Sequence, residues 1–205
     1  MTWQELVTSV SRGPIVLFST ATTGVHSNDE LLALSWNRID PEGTEEKGTI
    51  FHAVPAERAL QGVDYHHITM HTLSTQGLDT PDFIRAIQDL LKDTTPFSYN
   101  PSFQLMALNE MSDCDIDWVF DLALTTNAAL NHRMLSAEDL DGVVNPVQLM
   151  GLLARVSGNP PPFKRVMRMC DIVIDERTDV LPLVTNVQIL RAFWKKLGEL
   201  DLLTY

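Results

Sequence analysis

"VLFSTATTG", Val16 to Gly24, is the stretch on which the reading of this chain turns. It begins as an apolar run of β-type residues, passes into small hydroxylated ones and stops at a glycine. Such a run suits a strand buried on both faces and closed by a turn. From Pro14 to Thr20 it predicts the first strand of a sheet. "ELLALSWNRID" (Glu30 to Asp40) alternates well enough for a second strand, with "PEGTEEKG" as its turn. "TIFHAVP" (Thr49 to Pro55) then returns as a third, completing a meander.

Helices follow. "TPDFIRAIQDLLKD" (Thr80 to Asp93) has Thr80 as the expected N-cap, Pro81 in the first turn, and Phe83, Ile84, Ile87, Leu90 and Leu91 on one face. "PFSY" (Pro96 to Tyr99) reads as a short inner strand. Helices are predicted over Pro101 to Met111, Trp118 to Leu130 and Asn145 to Gly158, the last ending at a glycine cap. "NPPPF" interrupts the chain, "DIVID" (Asp171 to Asp175) is β-like, and Val184 to Leu200 forms the final helix. The order predicts an α/β fold with one mixed sheet of about five strands flanked by helices.

The 205 residues fit one domain over 1–205 with a real core. Hydrophobic content of 44% is ordinary for a globular chain, and no apolar run approaches the ~18 residues a membrane span needs. The first residues, "MTWQELVTSVSRG", are amphipathic and do not resemble a secretory signal. Cys114 and Cys170 lie far apart without metal-ligand spacing and read as reduced thiols, so the cytoplasm is the expected compartment.

The formal charge is −12, which argues against a surface that grips nucleic acid all over. Its distribution is uneven. Residues 1–149 carry 21 acidic against 7 basic side chains, and residues 150–205 carry 6 against 8. Lys164, Arg165 and Arg168, after the prolines, and Arg191, Lys195 and Lys196, near the end, supply most of the basic excess. Residues 159–180 are expected to form a Pro-rich, basic insertion before the last helix.

At this point the residues carry a resemblance. "VLFSTATTG" with "NDELLALSW", "YHHITMHTLSTQGLDTPDFIRAIQDLL", "PFSYNPSFQLMALNEM", and the series "VFDLAL", "VQLMGLLARVSG" and "LVTNVQILRAFWKKL" resemble, in order, the motif segments of the DEDD 3′-to-5′ exonucleases. These are the proofreading-subunit, RNase T and oligoribonuclease group. The resemblance implies an RNase H-like fold and, in the family, hydrolysis by two Mg or Mn ions held on acidic residues.

The acids are missing from the matched positions. Ser19 stands where the family has its first Asp, Ala21 where it has Glu, Gln104 at the second-motif Asp and Tyr99 at the preceding His. Asn186 falls on the third-motif Asp and Leu181 on the general-base His. A second register puts the third motif at Asn145, again an amide. Magnesium sheds water reluctantly and needs carboxylates, so no metal cofactor is expected here, and little or no two-metal hydrolysis. Thr22, Thr23, Phe103, Lys164, Arg165 and Arg168 are the expected nucleic-acid contacts.

Other features carry alternatives. Asp29, Glu30, Glu110, Asp121 and Asp179 are the acids that could have taken over a displaced site. His67 and His71, four apart, would share a face for zinc if helical. Trp3, Trp36, Trp118 and Trp194, with Met106, Met111, Met150 and Met167, read as packing residues. Three functions follow from the sequence: an inactive exonuclease-like protein holding nucleic-acid ends or nucleotides, an interaction or scaffold subunit, or an exonuclease with displaced acids. The expected partners are single-stranded nucleic acid or a protein, with a homodimer as the expected oligomer by analogy.

Overall fold

The strand that opens with Ile15 lies in the middle of a six-stranded sheet in the computed structural model, which describes residues 1–24, 29–55, 63–99, 101–112, 116, 118–130, 135–157, 162–173 and 180–201. This β1 (Ile15–Thr22) pairs antiparallel with β2 (Leu31–Ile39) and parallel with a later strand over Thr95–Ser98. The third strand, β3 (Glu45–His52), continues the meander. Ahead of them, α1 (Trp3–Val10) is closed by a capping box between Thr2 and Glu5. After them come α2 (Val63–His66), α3 (Met70–Gln76), β4 (Gly77–Leu78), α4 (Thr80–Leu91) and β5 (Thr95–Ser98). The chain continues through α5 (Ser102–Ser112), β6 (Phe120–Asp121), α6 (Leu122–Leu130), α7 (Ala137–Leu140), α8 (Pro146–Ser157), α9 (Phe163–Met169) and α10 (Pro182–Leu197).

Strand order is β4-β3-β2-β1-β5-β6. Two-residue strands at either edge raise the count above the five expected. Both short strands run parallel to their neighbours, β4 beside β3 and β6 beside β5.

Side-chain alternation along β1 divides the interior. Ile15 and Leu17 join a core with Trp3, Phe193 and Trp194, which α1, α6, α8, α9 and α10 complete. Val16 and Phe18 point the other way, against Phe83, Ile87 and Leu90 of α4 and Leu108 of α5. A helix layer on each face explains why β1 reads as a nearly unbroken apolar run. α6 is buried almost all round, including Thr125, Thr126 and Asn127, so it lacks an amphipathic signature.

Several boundaries differ from the sequence reading, each for a physical reason. β3 starts at Glu45 inside the expected turn, because Glu45 to Gly48 pair with Trp36 to Ile39. Asp79, not Thr80, caps α4, its carboxylate accepting from the Asp82 N–H at 3.0 Å. The helix expected from Trp118 starts at Leu122, since Phe120 and Asp121 pair with Phe97 and Ser98 first. Asp171 to Val173 form no strand; they close α9, with Asp171 at φ 53 and the Ile172 N–H bonded to the Met167 carbonyl at 3.0 Å. The final helix runs Pro182–Leu197, starting two residues early and ending at Gly198. Cys114 and the rest of "DIVID" lie outside the described residues.

Gly77 shows how close the packing is at the sheet edge. A Cβ there would strike the Leu73 carbonyl oxygen and lie 2.9 Å from the backbone of Ala53. Gly151, in the middle of α8, has nothing within 4 Å of its Cβ position. Gly77→Ala should therefore destabilise the protein by ~1–3 kcal/mol, and Gly151→Ala should stabilise it by up to ~1 kcal/mol. Chemical denaturation of the two variants checks the contrast, and equal effects would contradict it.

Candidate functional site

Four residues from three distant parts of the chain meet where β1, β5, α5 and α10 converge. Ser19 is 4% exposed on β1. Asn186, on the first half of α10, donates through Nδ2 to the Ser19 Oγ at 3.3 Å. Ser98, at the end of β5, brings in Gln104 of α5: its hydroxyl lies 2.9 Å from the Phe18 carbonyl oxygen and 2.5 Å from Gln104 Oε1. One hydroxyl proton cannot serve both acceptors. With the Gln104 amide turned so that its NH₂ faces Ser98, the hydroxyl donates to Phe18 and accepts from Gln104.

These groups line a half-open pocket of about 120 Å³ whose remaining walls are Tyr99, Phe163 and Leu190. The aromatic wall is braced from behind. Tyr99 and Phe163 meet edge to face with centroids 4.5 Å apart, and Phe163 meets Phe193 at 5.7 Å. Burial, reinforced by the charge of Asp121, pushes the Tyr99 phenol up to about 12, so it stays protonated.

The other expected residues fall elsewhere. Ala21 and Leu181 lie in a separate apolar cluster with Leu183 and Ile68, not in the pocket. Thr22 and Thr23 build the turn after β1: Thr22 donates to the Gly24 carbonyl, and Thr23 accepts from the Glu30 N–H at 2.9 Å and donates to Asp29 at 3.3 Å. Phe103 is half-exposed on α5 and does not line the pocket. Lys164, Arg165 and Arg168 are exposed on α9, the helix whose first residue is Phe163. Asn145, the alternative third-motif position, accepts from the Gln148 N–H at 3.0 Å at the start of α8 and is a cap.

Ser98, Phe163 and Leu190 were not marked by the sequence as site residues. Ser98 is recognisable only through the parallel β1–β5 pairing, and Phe163 only through the docking of α9. Leu190 follows from Asn186 by one helical turn.

No pocket-lining residue carries a formal charge. Among the described residues no group of three or more His, Cys, Asp or Glu side chains could hold a metal ion. The pocket's amide and hydroxyl oxygens do not fit a divalent ion that needs carboxylates to replace its hydration shell. Asp121 is occupied at the start of α6, where it accepts from the Ala123 N–H at 2.8 Å. His67 sits between α2 and α3 at φ 57, so it shares no helix with His71. His66, beside it, is buried and its Nδ1 accepts from the Ile68 N–H. Burial pushes the Cys170 thiol up to about 11, leaving it unreactive. The side chain of Glu110 and all of Asp179 lie outside the described residues.

A second cavity, a groove of about 660 Å³, runs between the β2–β3 hairpin and the opposite flank of α10. Arg191 grips Glu45 there with both Nε and Nη2, and Asn37 Nδ2 adds a bond to the same carboxylate at 3.3 Å. The Arg191 hydrogen bond, aided by Asn37, outweighs partial burial and holds Glu45 at about 2 instead of its ordinary 4.5.

No protein-family model and no curated protein sequence matches the chain. Solved structures do. The zinc-bound complex of Escherichia coli exonuclease I with single-stranded DNA superposes with a TM-score of 0.56 at 18% identity, over 92% of this chain and 40% of that one. The same enzyme in complex with a dT13 oligonucleotide gives 0.58 at 18% identity, over 92% and 41%. Exonuclease I from Methylocaldum szegediense gives 0.53 at 17% identity, over 89% and 40%. The chain thus spans about two fifths of the length of these structures, and its fold is the RNase H-like, exonuclease-type fold.

Two outcomes follow from this geometry. Ser19→Asp, Gln104→Asp and Asn186→Asp together would crowd like charges into the pocket, costing about 1–3 kcal/mol in the absence of divalent ions. Thermal melts should show that loss in chelator and its recovery with Mn²⁺, with no Mn²⁺ response in the unmodified protein; a triple variant indifferent to Mn²⁺ would mean that the pocket lacks metal-site geometry. The depressed Glu45 pKa means that its contribution is full above about 4.5 and is lost as pH falls toward about 2. Glu45→Gln should therefore lose less stability than the unmodified protein between pH 5 and pH 2.5, as read by denaturant titration.

Proposed function

We propose that this chain is a non-hydrolytic member of the exonuclease fold that holds an end of single-stranded nucleic acid. The observation that carries the reading is the meeting of Ser19, Gln104 and Asn186 in one neutral pocket, beside a helix that brings an aromatic ring to its wall and bears three exposed cations. These are the positions where the exonucleases that the sequence resembles carry acids. Without those charges two divalent ions have no counter-charge, and the polarisation of a scissile phosphate that they supply is lost. The apolar surroundings of Leu181 deprive the reaction of a general base as well.

Binding does not need those acids. Single-stranded nucleic acid is held by cations along its backbone and by rings on which its bases stack. Lys164, Arg165 and Arg168 supply the first and Phe163 the second. Single-stranded DNA in the exonuclease I complexes supports the substrate class by analogy of fold. We assign residues 1–205 to one exonuclease-like domain, with 159–180 as an insertion that carries this basic helix, and we place the protein in the cytoplasm. Among the described residues no helix is long and apolar enough to cross a membrane.

A second reading, an interaction subunit that binds protein and no nucleic acid, is favoured by the net charge of −12. Oligonucleotide binding separates the two. With three phosphate contacts, log K against log salt should fall with a slope of about −2 for a single strand. Lys164→Ala, Arg165→Ala and Arg168→Ala together should flatten that slope. Labelled single-stranded DNA and RNA incubated with Mg²⁺ or Mn²⁺ should stay intact. Failure to bind either polymer favours the interaction subunit, and trimming at rates typical of a nuclease overturns the non-hydrolytic reading.

A further inference from the structure

The outer edge of β3 is only partly covered. β4 pairs with it at Phe51 and His52 alone, so among the described residues Glu45 to Ile50 have no neighbouring strand on that side. Their backbone still points outward. The Ala53 N–H donates to the Leu78 carbonyl of β4, and successive residues of a strand bond to opposite sides, so Glu45, Lys47 and Thr49 turn their N–H and C=O groups away from β2. Among the described residues no backbone group meets them there. A row of alternating donors and acceptors is matched by an extended polypeptide.

The two faces of this edge specify side chains. On the face toward α10, Arg191 engages Glu45, Thr49 donates to the Ser35 hydroxyl at 3.2 Å, and Val184 and Val187 wall the groove of about 660 Å³ beside them. An apolar side chain fits there. On the other face a Cβ on Gly48 would lie 3.0 Å from the Trp36 ring, so the missing side chain lets the indole lie across the edge strand. Glu46, two residues along on that face, is exposed and makes no ion pair among the described residues, while Arg38 opposite it is taken by Asp40 at 3.1 Å. A carboxylate beside an indole suits a lysine or arginine.

We infer that the open edge of β3 docks an extended segment of a partner protein as an added strand, with apolar and basic side chains in alternation. The apolar ones face the groove and the basic ones lie against Trp36 and Glu46. With 21 acidic against 7 basic side chains in residues 1–149, the chain's own charge steers such a segment in. A second copy of this chain is a poorer occupant. The antiparallel register that uses Glu45, Lys47 and Thr49 of both copies sets Lys47 of one directly opposite Lys47 of the other, a like-charge pair. The groove and the Ser19 pocket share no residue, so a strand docked here leaves the pocket open.

Fluorescence anisotropy on the full chain tests this with the labelled peptide Val-Lys-Val-Lys-Val-Lys-Val and its counterpart carrying glutamate for lysine. The basic peptide should bind and the acidic one should not. Lys47→Pro removes one outward N–H, a change that edge strands accept. It should weaken the basic peptide about tenfold, the scale of one lost hydrogen bond, whereas Lys47→Ala should not weaken it. A thermal melt shows that both variants are folded. In the unmodified protein, the basic peptide should slow hydrogen exchange at the Glu45, Lys47 and Thr49 amides, a readout that stands even if Lys47→Pro does not fold. No binding of the basic peptide, equal binding of the acidic one, or slowed exchange only outside β3 overturns the docking edge. A dimer in sedimentation that Lys47→Pro dissociates overturns it as well, assigning the edge to a second copy.

Discussion

The burial of β1 between β2 and β5, with helices on both faces, is the constraint from which the rest of the structure follows. Each backbone N–H and C=O of a central strand must find a partner, because water cannot reach it. Antiparallel pairing with β2 and parallel pairing with β5 meet that need. The parallel pairing in turn requires a long crossover, which β3 and the helices through α4 provide. This arrangement leaves Ser19 of β1 and Ser98, the last residue of β5, lining one pocket with Asn186 of α10.

The same burial accounts for the strand surviving without charge. Val16, Leu17 and Phe18 are fully buried and hold the two helix layers to the sheet. Their packing is indifferent to whether the next residue is an acid or a serine. Between Ser19 and Asn186 a single hydrogen bond replaces what would be, for carboxylates, a like-charge contact needing metal ions to neutralise it. The neutral pair is the self-sufficient one. It leaves hydrogen-bonding groups and aromatic rings, and no formal charge, on the walls of the pocket.

How much of this was legible depended on whether the cause was local. The β1–β3 meander, the apolar face of α4 and the final helix were readable from periodicity, because hydrophobic side chains must face a layer of known spacing. The edge strands β4 and β6 were not, since two residues carry no period and pair only because a neighbour is already in place. α6 lacked an amphipathic signal because it is buried almost all round. In the site, Ser19, Gln104 and Asn186 were named from sequence and do meet, whereas Ala21 and Leu181, named with them, sit in a different apolar cluster.

By itself, then, the sequence determined the β1–β3 meander, the apolar face of α4, the final helix and the neutral side chains at Ser19, Ala21, Gln104 and Asn186, for these follow from residue identity and spacing along the chain. Tertiary structure alone decided which of those positions share a pocket, that Asn145 is a helix cap and not a pocket residue, and that Phe163 supplies a wall. Ser19 and Asn186 are 167 residues apart, and no local periodicity carries information over that distance. Only the packing of α10 against β1 brings them within a hydrogen bond.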